Sequence, residues 1–171
     1  WVVKKQVIKH FLQEAHGYLF NIDGVRDVIR KKVVDAINQA KASGERIVLV
    51  GHSQGAIIAY DVLSGETSCP NVDGLMTLGS PLGIDEVQDK LTWSRSNGFP
   101  DKLKGSWINV YDSFDVVARL DPKHANDFKK DGKEVVIDIQ ENNWGTWRHS
   151  ATKYLKGSVL RKCLRELAGR S

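Results

Sequence analysis

Apolar residues between Val2 and Phe20 recur every three to four positions, at Val3, Val7/Ile8, Phe11/Leu12, Ala15 and Leu19. That spacing predicts a helix with one buried face. Asn21-Ile22-Asp23-Gly24 interrupts the pattern, and Asp23 is placed to cap a second helix whose face is Val25, Val28/Ile29, Val33, Ile37 and Ala40. Ser43-Gly44 stops that helix. The period then changes. Ile47-Val48-Leu49-Val50 is a continuous β-branched-rich run, as in a strand covered on both faces in a parallel sheet. Gly51 ends the run, and Ala56 to Leu63 reads as helix. Gly74 to Leu78 predicts a second strand, closed by Gly79-Ser80-Pro81, with a short helix at Ile84 to Leu91. Ser94 to Lys104 is polar and contains Gly and Pro, so it reads as a loop or small insertion. Trp107 to Tyr111 and Glu134 to Ile139 predict the third and fourth strands, and a final helix runs from about Thr152 to Leu167.

This alternation predicts an α/β fold: a mostly parallel sheet with flanking helices. Such sheets place function at the carboxyl ends of their strands. The chain has 171 residues, 41% hydrophobic and 27% charged, the composition of a soluble globular domain. No apolar run approaches the ~20 residues of a membrane helix, so no integral membrane segment is expected. Trp1-Val2-Val3-Lys4-Lys5 does not read as a signal peptide, and position 1 is not Met. The net charge of +4 and pI of about 9.0 raise nucleic-acid binding as an option. The basic residues are scattered among acids, however, which points to a solvated mixed-charge surface and no nucleic-acid partner. Cys69 and Cys163 are far apart, which fits two free thiols in a reducing, cytoplasmic compartment. No metal-ligand spacing and no phosphate-binding Gly-rich loop is present, so neither a metal nor another cofactor is implied.

Gly51-His52-Ser53-Gln54-Gly55 matches G-x-S-x-G. With 15 glycines and 12 serines in 171 residues, chance gives about 0.09 such pentapeptides. The context adds weight, because the motif leaves a strand directly and opens an apolar helix. A sharp strand-to-helix turn holds Ser53 in a strained conformation with its hydroxyl exposed. Strand and helix pass so close that side chains at positions 51 and 55 are expected to collide. The helix start aims its free N–H groups and positive dipole at the reacting centre. A serine needs a base, and the base an orienting carboxylate, in the chain order Ser, acid, His. Two carboxylates follow the third strand, Asp112 and Asp115. Asp112 suits a turn cap, and Asp115, anchored by Val116-Val117, is favoured as the acid. His149 follows the last strand and is the favoured base. His124 precedes that strand, His10 and His16 lie upstream of the serine, and His52 is expected to point away from it as a packing neighbour.

Val48-Leu49-Val50-Gly51-His52-Ser53-Gln54-Gly55 resembles the nucleophile elbow of the α/β-hydrolase superfamily. Thr77-Leu78-Gly79-Ser80-Pro81 is similar to the T-L-G-S-P segment of its lipase-like members, and Tyr111 to Val117 to their acid loop. His149-Ser150 resembles their H-S-x-Y histidine loop, with Tyr154 two residues later than in that pattern. The resemblance implies an esterase or lipase-like serine hydrolase acting on a small-molecule ester or acyl substrate, with Ser53, Asp115 and His149 as triad. It implies an acyl-enzyme route and an oxyanion donor at the Gln54 backbone N–H. Thioester and amide chemistry use the same triad. Residues 84–105 are a candidate cap over a core at 45–171, behind a helical segment at 1–44. Trp93, Trp144 and Trp147 are candidate substrate-lining residues. The family brings several strands before its elbow, whereas two helices and no strand precede Ile47. The N-terminal part of the fold is therefore expected to be missing, along with the second oxyanion donor and the strands that flank the elbow strand. The rival reading is a hydrolase-fold binding module without catalysis.

Overall fold

A computed structural model describes residues 13, 15–91 and 98–169 of the chain. Residues 15–19 are helical (α1). Helix α2 spans Val25–Ala42, strand β1 Val48–His52, α3 Gln54–Gly65, β2 Val72–Leu78, α4 Asp85–Gln88 and β3 Leu103–Tyr111. Lys129–Lys130 (β4) and Lys133–Glu134 (β5) pair as a small hairpin. Strand β6 covers Val136–Gln140, followed by α5 at Ala151–Lys156 and α6 at Ser158–Leu167.

Strands β1, β2, β3 and β6 lie side by side in that order, all parallel. Apolar layers cover both faces of this sheet, so the central strands β2 and β3 present apolar side chains to both sides, as at Leu75-Met76 and Trp107-Ile108. On one face Leu75, Leu103 and Trp107 pack with Val34 and Ile37 of α2 and Ile57 and Tyr60 of α3. On the other, Met76, Leu78, Ile108 and Val110 pack with Tyr154 of α5 and Leu160, Cys163 and Leu167 of α6. A polar ladder crosses the first face, where Thr77, Asn109 and Asp138 are register partners. Thr77 Oγ1 donates to Asn109 Oδ1 at 3.0 Å, Asn109 Nδ2 to Asp138 Oδ1 at 2.8 Å, and Trp107 Nε1 to Thr77 Oγ1 at 3.1 Å. Each buried polar group in the ladder is thereby partnered, as a water-free interior requires.

Several elements differ from the sequence pattern. Asp23 does not cap α2. It is itself left-handed (φ 52), the capping position is Gly24, and Asn21 Oδ1 instead accepts the Arg26 N–H at 2.9 Å. The turn folds back on itself through Gly24 N–H donating to the Asn21 carbonyl, which brings Asn21 to the helix start. Strand β1 is covered on both faces only in part: Leu49 and Val48 pack against the first and second apolar layers, whereas Val50 is 43% exposed. Among the described residues β1 has a strand neighbour on one side only. Lys133 and Glu134 pair with β4, so the fourth sheet strand starts at Val136. Residues 103 and 104, read as loop, already belong to β3. The single last helix is two, broken at an extended Gly157, where a Cβ would run into the Glu141 carboxyl and the Tyr154 carbonyl. Among the described residues no helix is long and apolar enough to cross a membrane.

Candidate active site

Strand β1 runs through Gly51 and His52 into Ser53, and α3 starts at the next residue. Ser53 has φ 53 and ψ −124, a conformation that L residues rarely adopt. Its N–H donates to the Leu78 carbonyl at 3.0 Å, tying the turn to the end of β2. The reason for Gly51 is direct: a Cβ there would lie 2.6 Å from the Gly55 oxygen and 2.8 Å from Ala56 Cα. The predicted collision at position 55 does not occur, since a Cβ on Gly55 meets nothing within 4 Å. The close approach is one-sided because the strand residue points into the helix, while Gly55 faces open space. The Gln54 N–H is the first of α3, in the positive end of the helix dipole beside Ser53.

Three residues from three distant loops form one hydrogen-bonded chain. His149 Nε2 lies 2.8 Å from Ser53 Oγ, and His149 Nδ1 lies 2.8 and 2.9 Å from the two Asp115 oxygens. Asp115 is fully buried, and its Oδ1 accepts the N–H of Val117 at 2.8 Å and of Ala118 at 3.3 Å. Its Oδ2 accepts the Tyr154 hydroxyl at 2.8 Å. Burial alone would raise the Asp115 carboxyl. The His149 bond and charge, the Val117 amide and the Tyr154 hydroxyl outweigh it and hold the group below the usual carboxylate range. Gly79, at φ +52, makes room: a Cβ there would sit 2.8 Å from Asp115 Oδ2 and 2.9 Å from Tyr154 Cε2.

Asp112 also lies at this edge, buried, but turned toward different partners. Its Oδ1 accepts the Phe114 N–H at 2.7 Å, as a turn cap does. Its Oδ2 accepts the Asn143 N–H at 2.7 Å and Arg148 Nη1 at 3.3 Å. Asp112 thus clasps the loop that carries His149, and Asp115 faces the imidazole. His52 does not merely point away. Its ring is 4.8 Å from that of His149 and 5.9 Å from Tyr154, and its Nε2 is buried without a hydrogen-bond partner. Burial, then the neighbouring His149, pushes its pKa down to about 4, so it stays neutral. His124 is fully buried against Trp107 and Phe128, and His16 stacks on Phe20. Trp147 meets the His149 ring edge-on at 6.2 Å, whereas Trp144 is 53% exposed with Lys153 over its ring. His10 and Trp93 lie outside the described residues.

The parallel sheet, the elbow after β1 and the loops gathered at the carboxyl ends of β1, β3 and β6 form an α/β architecture that brings Ser53, Asp115 and His149 together at one sheet edge. No family model matches the chain. It is 27% identical over 165 residues to the GPI inositol-deacylase of Candida albicans, a match covering 88% of this chain and 40% of that protein. The chain therefore spans well under half the length of that relative. Among solved structures, the monoacylglycerol lipase of Paleococcus ferrophilus superposes with a TM-score of 0.48 at 11% identity, over 83% of this chain and 76% of that one.

Proposed function

We propose that this chain carries the catalytic centre of a serine hydrolase that cleaves a carboxylic ester through an acyl-enzyme intermediate. The observation that carries this reading is the unbroken Ser53–His149–Asp115 hydrogen-bonded chain beginning at a strained elbow serine. His149 Nε2 takes the Ser53 proton as Oγ attacks the ester carbonyl. The carbonyl π pair moves to oxygen, and the Gln54 N–H donates to the resulting oxyanion. Collapse expels the alcohol, which takes the proton from His149 and leaves the acyl group on Ser53. Water gives a proton to the same imidazole as it attacks the acyl carbon, and collapse breaks the bond to Ser53 Oγ, which takes that proton back from His149 as the acid leaves. Asp115 holds the proton of the imidazole on Nδ1 and stabilises the imidazolium without taking the proton itself. Its depressed pKa supports that role.

The likeness to a GPI inositol-deacylase supports an O-acyl group as the substrate class. Among the described tryptophans, Trp147, beside His149, is the one best placed to touch it. Labelling with a fluorophosphonate probe tests the reading. Wild type should label at Ser53 and Ser53→Ala should not. Absence of labelling in the wild type would instead support the non-catalytic binding module.

A further inference from the structure

We infer that Tyr154 is a positioning residue for the Ser53–His149–Asp115 chain: its hydroxyl is a directed proton donor that sets how firmly Asp115 holds the His149 imidazole. The inference rests on the hydrolase reading above. The direction of the donation follows from its partners. The Asp112 backbone N–H donates to Tyr154 Oη at 3.0 Å, and an amide can only donate there. The single hydroxyl proton is thus left for Asp115 Oδ2, 2.8 Å away. His149 Nδ1 faces both Asp115 oxygens, 2.8 Å from Oδ1 and 2.9 Å from Oδ2, so Tyr154 shares Oδ2 with the imidazole while two backbone amides also donate to Oδ1. The ring is fully buried and reaches the carboxylate only because position 79 lacks a Cβ. Burial first, and then the Asp115 charge, pushes the phenol far above its usual range, so the donor is never lost to ionisation.

Removing this donor leaves Asp115 a stronger base, which favours the imidazolium form of His149. The base must be neutral to accept the Ser53 proton, so activity would be lost at a higher pH on the acid side. Among the described residues, the charged and titratable groups facing His149 are Asp115, His52 and Ser53, with Arg148 adjoining and paired to Asp112. Tyr154→Phe changes none of them and keeps the packed ring.

The test compares wild type, Tyr154→Phe and Leu160→Ala, the last loosening the same apolar layer without touching the chain. One arm follows kcat/KM for a soluble p-nitrophenyl ester against pH. In Tyr154→Phe the acid limb should move up by roughly 0.5–1 pH unit. Its kcat should fall about tenfold, with KM within about twofold. Leu160→Ala should lower Tm and leave the limb in place. A second arm titrates the His149 ring by NMR in a Ser53→Ala background, where the midpoint should rise on adding Tyr154→Phe. A third needs no Tyr154 variant: with ring-labelled tyrosine in the wild type, the Tyr154 Cζ resonance should move as His149 titrates. An unmoved limb and midpoint, or a static Tyr154 resonance, overturns the inference. If Ser53 neither labels nor turns over ester, the hydrolase reading fails and the two NMR arms still decide the role of Tyr154.

Discussion

His149 and His124 are both withdrawn from solvent, yet their surroundings are opposite. Both ring nitrogens of His149 are engaged, one by Ser53 and one by Asp115. Neither ring nitrogen of His124 has a partner, and its neighbours are the faces and edges of Trp107 and Phe128. Burial pushes His124 down to about pKa 4, against the opposing pull of Asp138. The difference shows that burial by itself produces an inert, neutral imidazole. Chemistry comes from the partners that the loops at the carboxyl edge supply.

The largest expected effect separates the two histidines by function. His149→Gln should lower kcat/KM about 10⁴-fold, some 5.5 kcal/mol of transition-state stabilisation. His124→Phe should stay within about threefold at pH 7, because it replaces one packed ring by another. Comparable losses in both would erase the distinction.

The same contrast applies to the two carboxylates after β3. Asp115→Asn should cost about 10³–10⁴-fold in kcat, since the wrong imidazole tautomer is favoured. Asp112→Asn should cost under about tenfold and show mainly as lower thermal stability of the loop clasp. The reverse ranking would move the acid role to Asp112.

The next effect concerns stability. The folded-state pKa of His124 is about 4, below the 6.5 of a free histidine. Between these values the unfolded chain binds a proton that the native chain refuses, so stability is full above about pH 6.5 and lost as pH falls toward 4. The loss amounts to about 3 kcal/mol over that window. Urea unfolding at pH 7 and pH 4.5 measures it, and His124→Phe should flatten this part of the slope, with His52 contributing in the same direction. The smallest effect belongs to Arg148→Ala, whose guanidinium is partly solvated. It should change kcat/KM by less than about threefold in a steady-state assay.

Much of this arrangement is legible from local pattern. The change of period at Ile47, the pentapeptide at Gly51 and the chain order of Asp115 and His149 are sequence-local signals, and the fold places the pentapeptide, Asp115 and His149 at one sheet edge. What could not be read depends on contacts between distant segments. The need for glycine at 157 follows from Glu141, the openness of Val50 from the strand pairing of β1, and the role of Asp112 from Asn143 and Arg148. Tyr154 reaches Asp115 across 39 residues, and its two-residue displacement from the H-S-x-Y pattern gives no hint of that bond. Asp23 misled because an acidic residue before an apolar periodicity resembles a cap whether or not the turn presents its side chain.

The reach of the central hydrogen bonds has a kinetic meaning. Ser53 and His149 are 96 residues apart, and Asp115 and His149 are separated by 34. Contacts of such long range form late, after loop-closure entropy has been met by the docking of β1, β2, β3 and β6. On the proposed function, capture of Ser53 is therefore expected to report completed folding. During refolding, helical circular dichroism and tryptophan burial around Trp107 should recover first, and fluorophosphonate capture at Ser53 should trail them as the last signal to appear.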